Sequence, residues 1–163
     1  HDPKAKYTPA DRELQNLTTI ELFKMSENLA DLNDQVVAQQ TQLKAKMDKV
    51  KNEKNKKVLQ EYFDEMEKVR SEILATKQTS IFADEERLRE QLGEVYGSVA
   101  GTEEKPTNSQ TDRIKSLKFD IGKTETVAKT NYTKYFTKVN EILKKEKVEP
   151  LKPATLGGID KRS

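Results

Sequence analysis

The sequence contains no cysteine and no tryptophan, and its single histidine, His1, is the first residue. Without cysteine, the chain can form neither a disulfide framework nor a thiolate metal site. A histidine at the end of a chain lacks companion ligands and folded surroundings. We therefore expect neither a zinc site nor a histidine general base.

Long apolar runs and an excess of one charge are missing too. No run of 18 apolar residues occurs, so no membrane span is expected. The 30 basic and 28 acidic residues leave a net charge of +2, whereas nucleic-acid binding usually needs a concentrated basic face. Charged residues make up 36% and apolar residues 33%, which favours a slim bundle over a thick globular core.

The motifs of common enzymes are also missing: no P-loop, GxGxxG or GxSxG occurs. Carboxylates cluster at Glu61, Asp64 and Glu65 and at Asp84–Glu86. A catalytic pair needs a pocket that separates the two pKa values, and these side chains fall opposite the apolar face of predicted helices. The sequence therefore predicts no catalytic, cofactor-binding or metal-binding residue, and no cofactor.

The clearest pattern present is one long helix over residues 107–146. Thr107 and Gln110 have the spacing of a capping box, which marks a helix start. Apolar residues then recur in steps of three and four, which places them on one side of a helix. They are Ile114, Leu117, Ile121, Ala128, Tyr135, Val139 and Ile142. A helix of roughly 57 Å with one apolar stripe needs partners of similar length.

A second long helix is predicted over residues 9–51, because Thr8 can cap it and Pro9 suits its first position. Its stripe consists of Leu14, Leu17, Leu22, Met25, Leu29, Leu32, Val36, Leu43, Met47 and Val50, with Gln39 filling one step. A turn follows, with Asn52 and Asn55 as turn and cap positions.

Two shorter helices are predicted over residues 55–78 and 84–100. The first carries Val58, Leu59, Tyr62, Phe63, Met66, Val69, Ile73 and Leu74 on its apolar side, and the second carries Leu88, Leu92, Val95, Tyr96 and Val99. Together they match the length of each long helix. We therefore predict an all-α, elongated up-down-up bundle of three legs over residues 9–146, with the middle leg broken near residues 79–83. If the third helix folds back, the alternative is a four-helix bundle with unequal legs.

The ends of the chain have no helical period. Residues 1–8 are expected to be an extended lead-in from an upstream domain. Residues 147–163, with two prolines and Gly157-Gly158, are expected to form a polar tail that lies along the bundle or is mobile. Because the chain begins at His1 and shows no signal peptide, we interpret it as a fragment or processed product.

Three further features have both a structural and a functional interpretation. The Lys44–Lys57 stretch, with seven lysines, either solubilises an exposed turn or binds an anionic polymer. The adjacent aromatics Tyr62 and Phe63, and the trio Tyr132, Tyr135 and Phe136, either complete the core edge or form a docking spot. Gln39, Thr124 and Asn131 are polar gaps in the stripes, and we interpret them as a device that sets helix register rather than as a site.

Several segments together resemble a known family. His1-Asp2-Pro3-Lys4 and Tyr7-Thr8-Pro9-Ala10-Asp11 are similar to the junction where a bacterial sortilin-like β-propeller passes into its C-terminal helical region. Leu92–Val99, an acidic link and Lys105-Pro106-Thr107 resemble that family's short helix and the start of its final helix. Val139–Leu143 and Val148–Leu151 are similar to its closing segment.

The resemblance implies the C-terminal piece of a large exported protein with BNR (Asp-box) repeats, often labelled a glycosyl hydrolase. It implies an extracytoplasmic location in the periplasm, at the cell surface or outside the cell. No catalytic residue transfers, because the Asp-box propeller is not within these residues. We expect a non-catalytic helical module that braces or spaces the propeller or contacts another protein. The alternative is a self-standing coiled-coil adaptor that oligomerises through an apolar face.

Overall fold

Four α-helices and no strand are found in the part of the chain that this computed structural model describes, residues 7–74 and 87–156. The helices are α1 (Pro9–Met47), α2 (Glu53–Ile73), α3 (Leu88–Ala100) and α4 (Asn108–Lys145). They pack side by side as a bundle, which confirms the predicted all-α class.

Both long helices begin with a capping box. The Thr8 hydroxyl accepts a hydrogen bond from the Asp11 amide at 3.1 Å, and the Asp11 carboxylate accepts one from the Thr8 amide at 2.8 Å. These hydrogen bonds lower the pKa of Asp11. Thr107 and Gln110 make the same reciprocal contacts at 3.1 and 2.9 Å. Each pair satisfies amides that would otherwise be unpaired at the helix start.

The helices run up, down and up. The Tyr62 hydroxyl of α2 donates to the Gln39 side chain of α1 at 2.9 Å, so α2 lies beside the C-terminal half of α1. The side-chain amide of Gln15 donates to the Val99 backbone carbonyl at 3.0 Å, so the end of α3 lies beside the start of α1. Helices α2 and α3 therefore both run antiparallel to α1 and together make the middle leg.

Helix α4 returns alongside both of the other legs. The Tyr135 ring stacks on the Tyr62 ring with centroids 5.4 Å apart, and Lys118 forms an ion pair with Glu21 of α1. This arrangement has three legs and does not correspond to the alternative in which the third helix folds back. The predicted break near residues 79–83 lies outside the described residues.

Four helix bounds differ from the predicted ones by more than one residue. Helix α3 starts at Leu88 rather than at residue 84, because Arg87 is extended. Helix α1 ends at Met47 rather than at residue 51, because the Lys49 and Val50 amides bond three residues back and turn Val50 into the core, where it is 2% exposed. Asn52 caps α2 by accepting from the amides of Lys54 and Asn55, so that helix starts at Glu53. Helix α2 ends at Ile73 rather than at 78, since Leu74 is extended.

The core follows most of the predicted stripe positions, including Leu22, Leu29 and Leu32 on α1 and Leu117 and Ile121 on α4. The prediction was wrong for Leu14 and Leu17, which are 49% and 58% exposed. At this level Gln15 takes the inward position and satisfies a carbonyl at the C-terminal end of α3. The two leucines therefore face outward.

Residues 147–156 fold back over the groove between α1 and α4, and we call them the C-terminal strap. Lys147 has φ 57°, a left-handed conformation that reverses the chain after α4. The side-chain amide of Gln39 on α1 donates to the Lys152 backbone carbonyl at 2.8 Å. The side-chain oxygen of Asn140 on α4 accepts from the Leu151 backbone amide at 2.7 Å. Leu151 and Leu156 are buried, so this part of the tail contributes to the core. Residues 157–163 lie outside the described part.

Candidate functional site

Four large apolar side chains on the N-terminal half of α1 are exposed to solvent. Leu14, Leu17, Ile20 and Phe23 are 49%, 58%, 52% and 52% exposed, and we call them the apolar band. Residues three apart are neighbours on a helix, so the four form one continuous surface. It extends about 13 Å along α1. Single exposed apolar residues are ordinary, whereas a contiguous exposed apolar patch is a feature of interaction sites.

The geometry of the helix explains why the bundle does not cover the apolar band. An α-helix has 3.6 residues per turn, so three residues make slightly less than one turn. Each side chain of the band therefore points about 60° away from the one three residues before it. Over three steps the band therefore winds about half-way round α1. Helices α3 and α4 cover one side of this part of α1, through contacts such as Gln15 with Val99 and Glu21 with Lys118. The band remains on the uncovered side.

The start of α1 is tied to the link between α3 and α4. The Tyr7 hydroxyl donates a hydrogen bond to the Glu103 carboxylate, and Arg12 pairs with the same carboxylate at 3.2 Å. The hydrogen bond from Tyr7 lowers the pKa of Glu103 and raises the pKa of the Tyr7 phenol. The chain therefore joins the bundle at the end nearer the apolar band.

Phe119 is the most exposed large apolar side chain among the described residues, at 71%. Its neighbour Lys118 pairs with Glu21 of α1, which lies between Ile20 and Leu22 in the sequence. Phe119 is therefore at the same level of the bundle as the apolar band, on the adjacent long helix. Sequence reasoning missed both features, although Ile20, Phe23 and Phe119 all fall off the predicted stripes.

Two clefts lie beside the C-terminal end of α2 and the N-terminal end of α3. One of about 490 Å³ lies against α1 and is lined by Ser26, Leu29, Asn33, Asp34, Leu92 and others. The other, of about 460 Å³, lies against α4 and is lined by residues that include Glu72, Asp120 and Thr124. Among the described residues, the buried Asn33 side-chain oxygen has no hydrogen-bond partner. Asp34 is the carboxylate among the described lining residues of the first cleft, and Glu72 and Asp120 are those of the second.

A buried polar layer crosses the other half of the bundle. Gln39, which is 1% exposed, accepts from the Tyr62 hydroxyl and donates to the Lys152 carbonyl. Burial raises the pKa of the Tyr62 phenol, so it stays neutral and acts as a donor. Thr124 and Asn131 are also buried but are not the partners of Gln39. The partners of Gln39 join α1, α2 and the C-terminal strap, which fits the interpretation that this residue sets register.

The adjacent aromatics divide between the core and its edge. Tyr62 and Tyr135 are buried and stacked on each other, while Phe63 is only partly buried. Tyr132 and Phe136 are partly buried and stack on each other with centroids 4.6 Å apart. The Tyr132 hydroxyl also accepts from the Ala154 amide of the strap at 3.3 Å. These rings therefore complete the packing of the bundle and the strap.

The end of the bundle opposite Tyr7 is rich in lysine. The Lys44–Lys57 stretch spans the turn between α1 and α2, and Lys144, Lys145 and Lys147 lie at the end of α4. Glu146 joins the two groups, because its carboxylate accepts from the Lys51 and Asn52 amides at 3.3 and 3.2 Å. It also accepts from the Asn55 side chain at 3.2 Å, and these hydrogen bonds lower the pKa of Glu146. We call the two lysine groups the basic end.

Of the carboxylates considered from the sequence, the structure describes those on α2. Glu61 and Asp64 are exposed, and Glu65 pairs with Lys68 at 2.9 Å. His1 and Asp84–Glu86 lie outside the described residues. Within residues 7–74 and 87–156, no group of three or more potential ligands could hold a metal ion. None of the described helices is both long and apolar enough to cross a bilayer.

Compared with known proteins, the chain matches no protein-family model, no curated protein and no solved structure.

Proposed function

We propose that this chain is a non-catalytic helical module at the C-terminus of a larger exported propeller protein. In this role it acts as a structural brace, a spacer or a protein–protein interaction surface. The observation that carries the proposal is the apolar band, Leu14, Leu17, Ile20 and Phe23, exposed on the half of α1 that lies nearer the start of the chain. The propeller and the extracytoplasmic location rest on the resemblance of the first eleven residues and of the later segments.

The position of the apolar band favours docking against whatever precedes the chain. Tyr7 and Arg12 are fixed to Glu103, so Tyr7, the first described residue, lies at the end of the bundle nearer the band. A domain tethered there has a high effective concentration at a surface a few residues away. Covering four half-exposed apolar side chains would then stabilise one orientation of the two domains, at about 25 cal/mol per Å² of apolar surface removed from water.

The bundle has the mechanical features of a brace. Helices α1 and α4 contain 39 and 38 residues, which corresponds to roughly 57 Å each. Each starts with a complete capping box, and the strap fixes the groove between them at the other end. A rigid helical bundle with an exposed apolar surface near one end is suited to holding a neighbouring domain at a fixed distance.

The test compares the isolated chain with the complete product of its gene. Hydrogen exchange would be measured over residues 14–23 in both proteins. We expect slower exchange in the complete protein, and we expect Ile20→Glu/Phe23→Glu to abolish that difference. Ala38→Glu/Ala45→Glu is the matched control, because it adds the same charge at exposed positions elsewhere on α1. Equal exchange over residues 14–23 in the two wild-type proteins would sink the proposal.

A second candidate is a self-standing coiled-coil adaptor that oligomerises through the same apolar band. The observation that favours this function is that no other helix of the described residues covers the band. Light scattering at two concentrations separates the candidates. A monomer of 18.7 kDa at both concentrations removes the adaptor. A dimer that Ile20→Glu/Phe23→Glu dissociates supports it.

A further inference from the structure

We propose that the basic end binds an acidic polysaccharide through ionic contacts with its lysines. The inference does not depend on the proposed function, because it concerns the opposite end of the bundle. It rests on how the fold gathers the lysines, on their lack of ion-pair partners among the described residues, and on their placement relative to the helix ends.

Folding brings together two lysine groups that are about 90 residues apart in the sequence. Glu146 accepts hydrogen bonds from the Lys51 and Asn52 amides and from the Asn55 side chain, which fixes the end of α4 against the α1–α2 turn. The ten lysines of the basic end lie near five carboxylates, those of Asp48, Glu53, Glu141, Glu146 and Glu149, so this end carries a net charge of +5. The whole chain has +2, so the remainder carries −3.

None of these ten lysines forms an ion pair within the described part of the chain. The ion pairs are found elsewhere, as in Arg12–Glu103 at 3.2 Å, Arg70–Glu67 at 3.0 Å and Lys129–Glu125 at 2.7 Å. Eight of the ten side chains are exposed, and Lys46 and Lys56 are partly buried. The ammonium groups are therefore available to an external anion.

Helix dipoles account for only part of the cluster. Lysines near a helix C-terminus offset the negative end of the dipole, which explains Lys44, Lys46, Lys144 and Lys145. Lys54 lies in the first turn of α2 with Lys56 and Lys57 just beyond it, where the dipole disfavours a positive charge. This placement costs free energy in the isolated chain. A bound polyanion removes that cost and the mutual repulsion of the ammonium groups.

The side chains at the basic end favour a polysaccharide over other polyanions. All its cations are lysines, which act as point charges, and it contains no arginine for bidentate contacts with phosphate. It contains no aromatic residue on which a base could stack. No exposed large apolar side chain of the described residues lies there to enter a membrane interface. A flexible polymer with regularly spaced sulfate or carboxylate groups fits what remains.

The test measures binding of the 163-residue chain to heparin, a sulfated probe, and to polygalacturonate, a carboxylated one, by calorimetry at low and moderate salt. We expect binding to at least one of the two probes, with an affinity that falls as salt rises. Lys49→Gln/Lys51→Gln/Lys54→Gln should weaken it by about tenfold or more, by analogy with the contribution of single lysines at anionic surfaces. Far-ultraviolet circular dichroism would confirm that each variant is folded.

The matched control is Lys24→Gln/Lys115→Gln/Lys123→Gln, which removes the same charge from exposed positions outside the basic end. It should change the affinity less than about twofold, as expected for exposed charges well beyond a Debye length. An equal loss in both variants would show attraction to net charge alone and would overturn the proposal. So would the absence of binding to both polysaccharides, or tighter binding to a DNA duplex or to vesicles that contain phosphatidylserine.

Discussion

The two halves of α1 carry similar numbers of large apolar residues, yet they differ in how many of them are covered. In the C-terminal half, Leu32, Val36 and Leu43 are buried beneath α2, α4 and the C-terminal strap. In the N-terminal half, Leu14, Leu17, Ile20 and Phe23 remain exposed beside the shorter helix α3. An apolar residue is thus buried only where the chain supplies a covering element. The uncovered side of the N-terminal half is therefore accessible to another molecule.

The largest difference in stability between buried and exposed apolar positions should appear when their side chains are truncated to alanine. Leu29→Ala, Leu117→Ala and Ile121→Ala each remove a buried side chain and should lower the free energy of unfolding by about 2–5 kcal/mol. Leu17→Ala is the control on α1, and it should cost less than about 0.5 kcal/mol because its side chain is 58% exposed. Urea denaturation measures both. Equal losses for Leu17 and Leu29 would contradict the burial described here.

The next largest loss of stability is expected when the buried polar layer under the strap is disrupted. Gln39→Met keeps the volume but leaves the buried Tyr62 hydroxyl and the Lys152 carbonyl without a partner. We expect a loss of about 1–3 kcal/mol, the cost of unsatisfied polar groups. In the double variant Gln39→Met/Tyr62→Phe the hydroxyl is gone, so part of the loss should be recovered in urea denaturation. Strict additivity of the two single losses would show that the hydrogen bond is energetically unimportant.

The contact that closes the basic end should depend on pH. The hydrogen bonds to Asn55, Lys51 and Asn52 lower the pKa of Glu146 from its ordinary value of 4.5. Because the folded pKa is below the unfolded one, this contribution to stability is complete above about pH 4.5 and is lost as the pH falls through the folded pKa. Glu146→Gln should therefore lower the melting temperature at pH 7 and differ less from wild type in acid. Glu141→Gln is the exposed control, and a Glu146→Gln deficit that persists unchanged in acid would contradict the assignment.

The smallest effect on stability is expected in the apolar band itself. Ile20→Glu/Phe23→Glu changes side chains that are both 52% exposed, so the free energy of unfolding should stay within about 0.5–1 kcal/mol of the wild-type value. Thermal melting of the isolated chain at a low concentration measures it. A large loss would mean that the band packs within the chain. The comparison between the halves of α1 would then fail.

Part of the fold was readable from local patterns. The capping boxes at Thr8 and Thr107 predict the starts of α1 and α4, because each uses contacts only three residues apart. The end of α1 was predicted at residue 51 and lies at Met47, since a turn that buries Val50 depends on what it packs against. The strap has no period at all, and its amides bond to Asn140 on the preceding helix α4 and to Gln42 and Gln35 on α1, more than 100 residues away in the sequence.

The candidate surfaces were readable only in part. Leu14 and Leu17 fit the inward stripe equally well, and the outward series becomes apparent only when Ile20 and Phe23 are added in steps of three. For the basic end, the sequence indicates Lys44–Lys57 but cannot indicate that Lys144, Lys145 and Lys147 join it. That depends on the Glu146 contacts across more than 90 residues.

By itself the sequence determined that the chain is helical, where the two long helices start, and which residues form most of the core stripes. These properties follow from backbone capping and from a period of 3.6 residues, which act within a few residues of each other. The tertiary structure alone decided which apolar residues remain exposed to solvent, how the strap covers the groove, and how the lysines gather at one end. Those outcomes depend on which elements lie next to one another, since burial and charge density are properties of the assembled bundle.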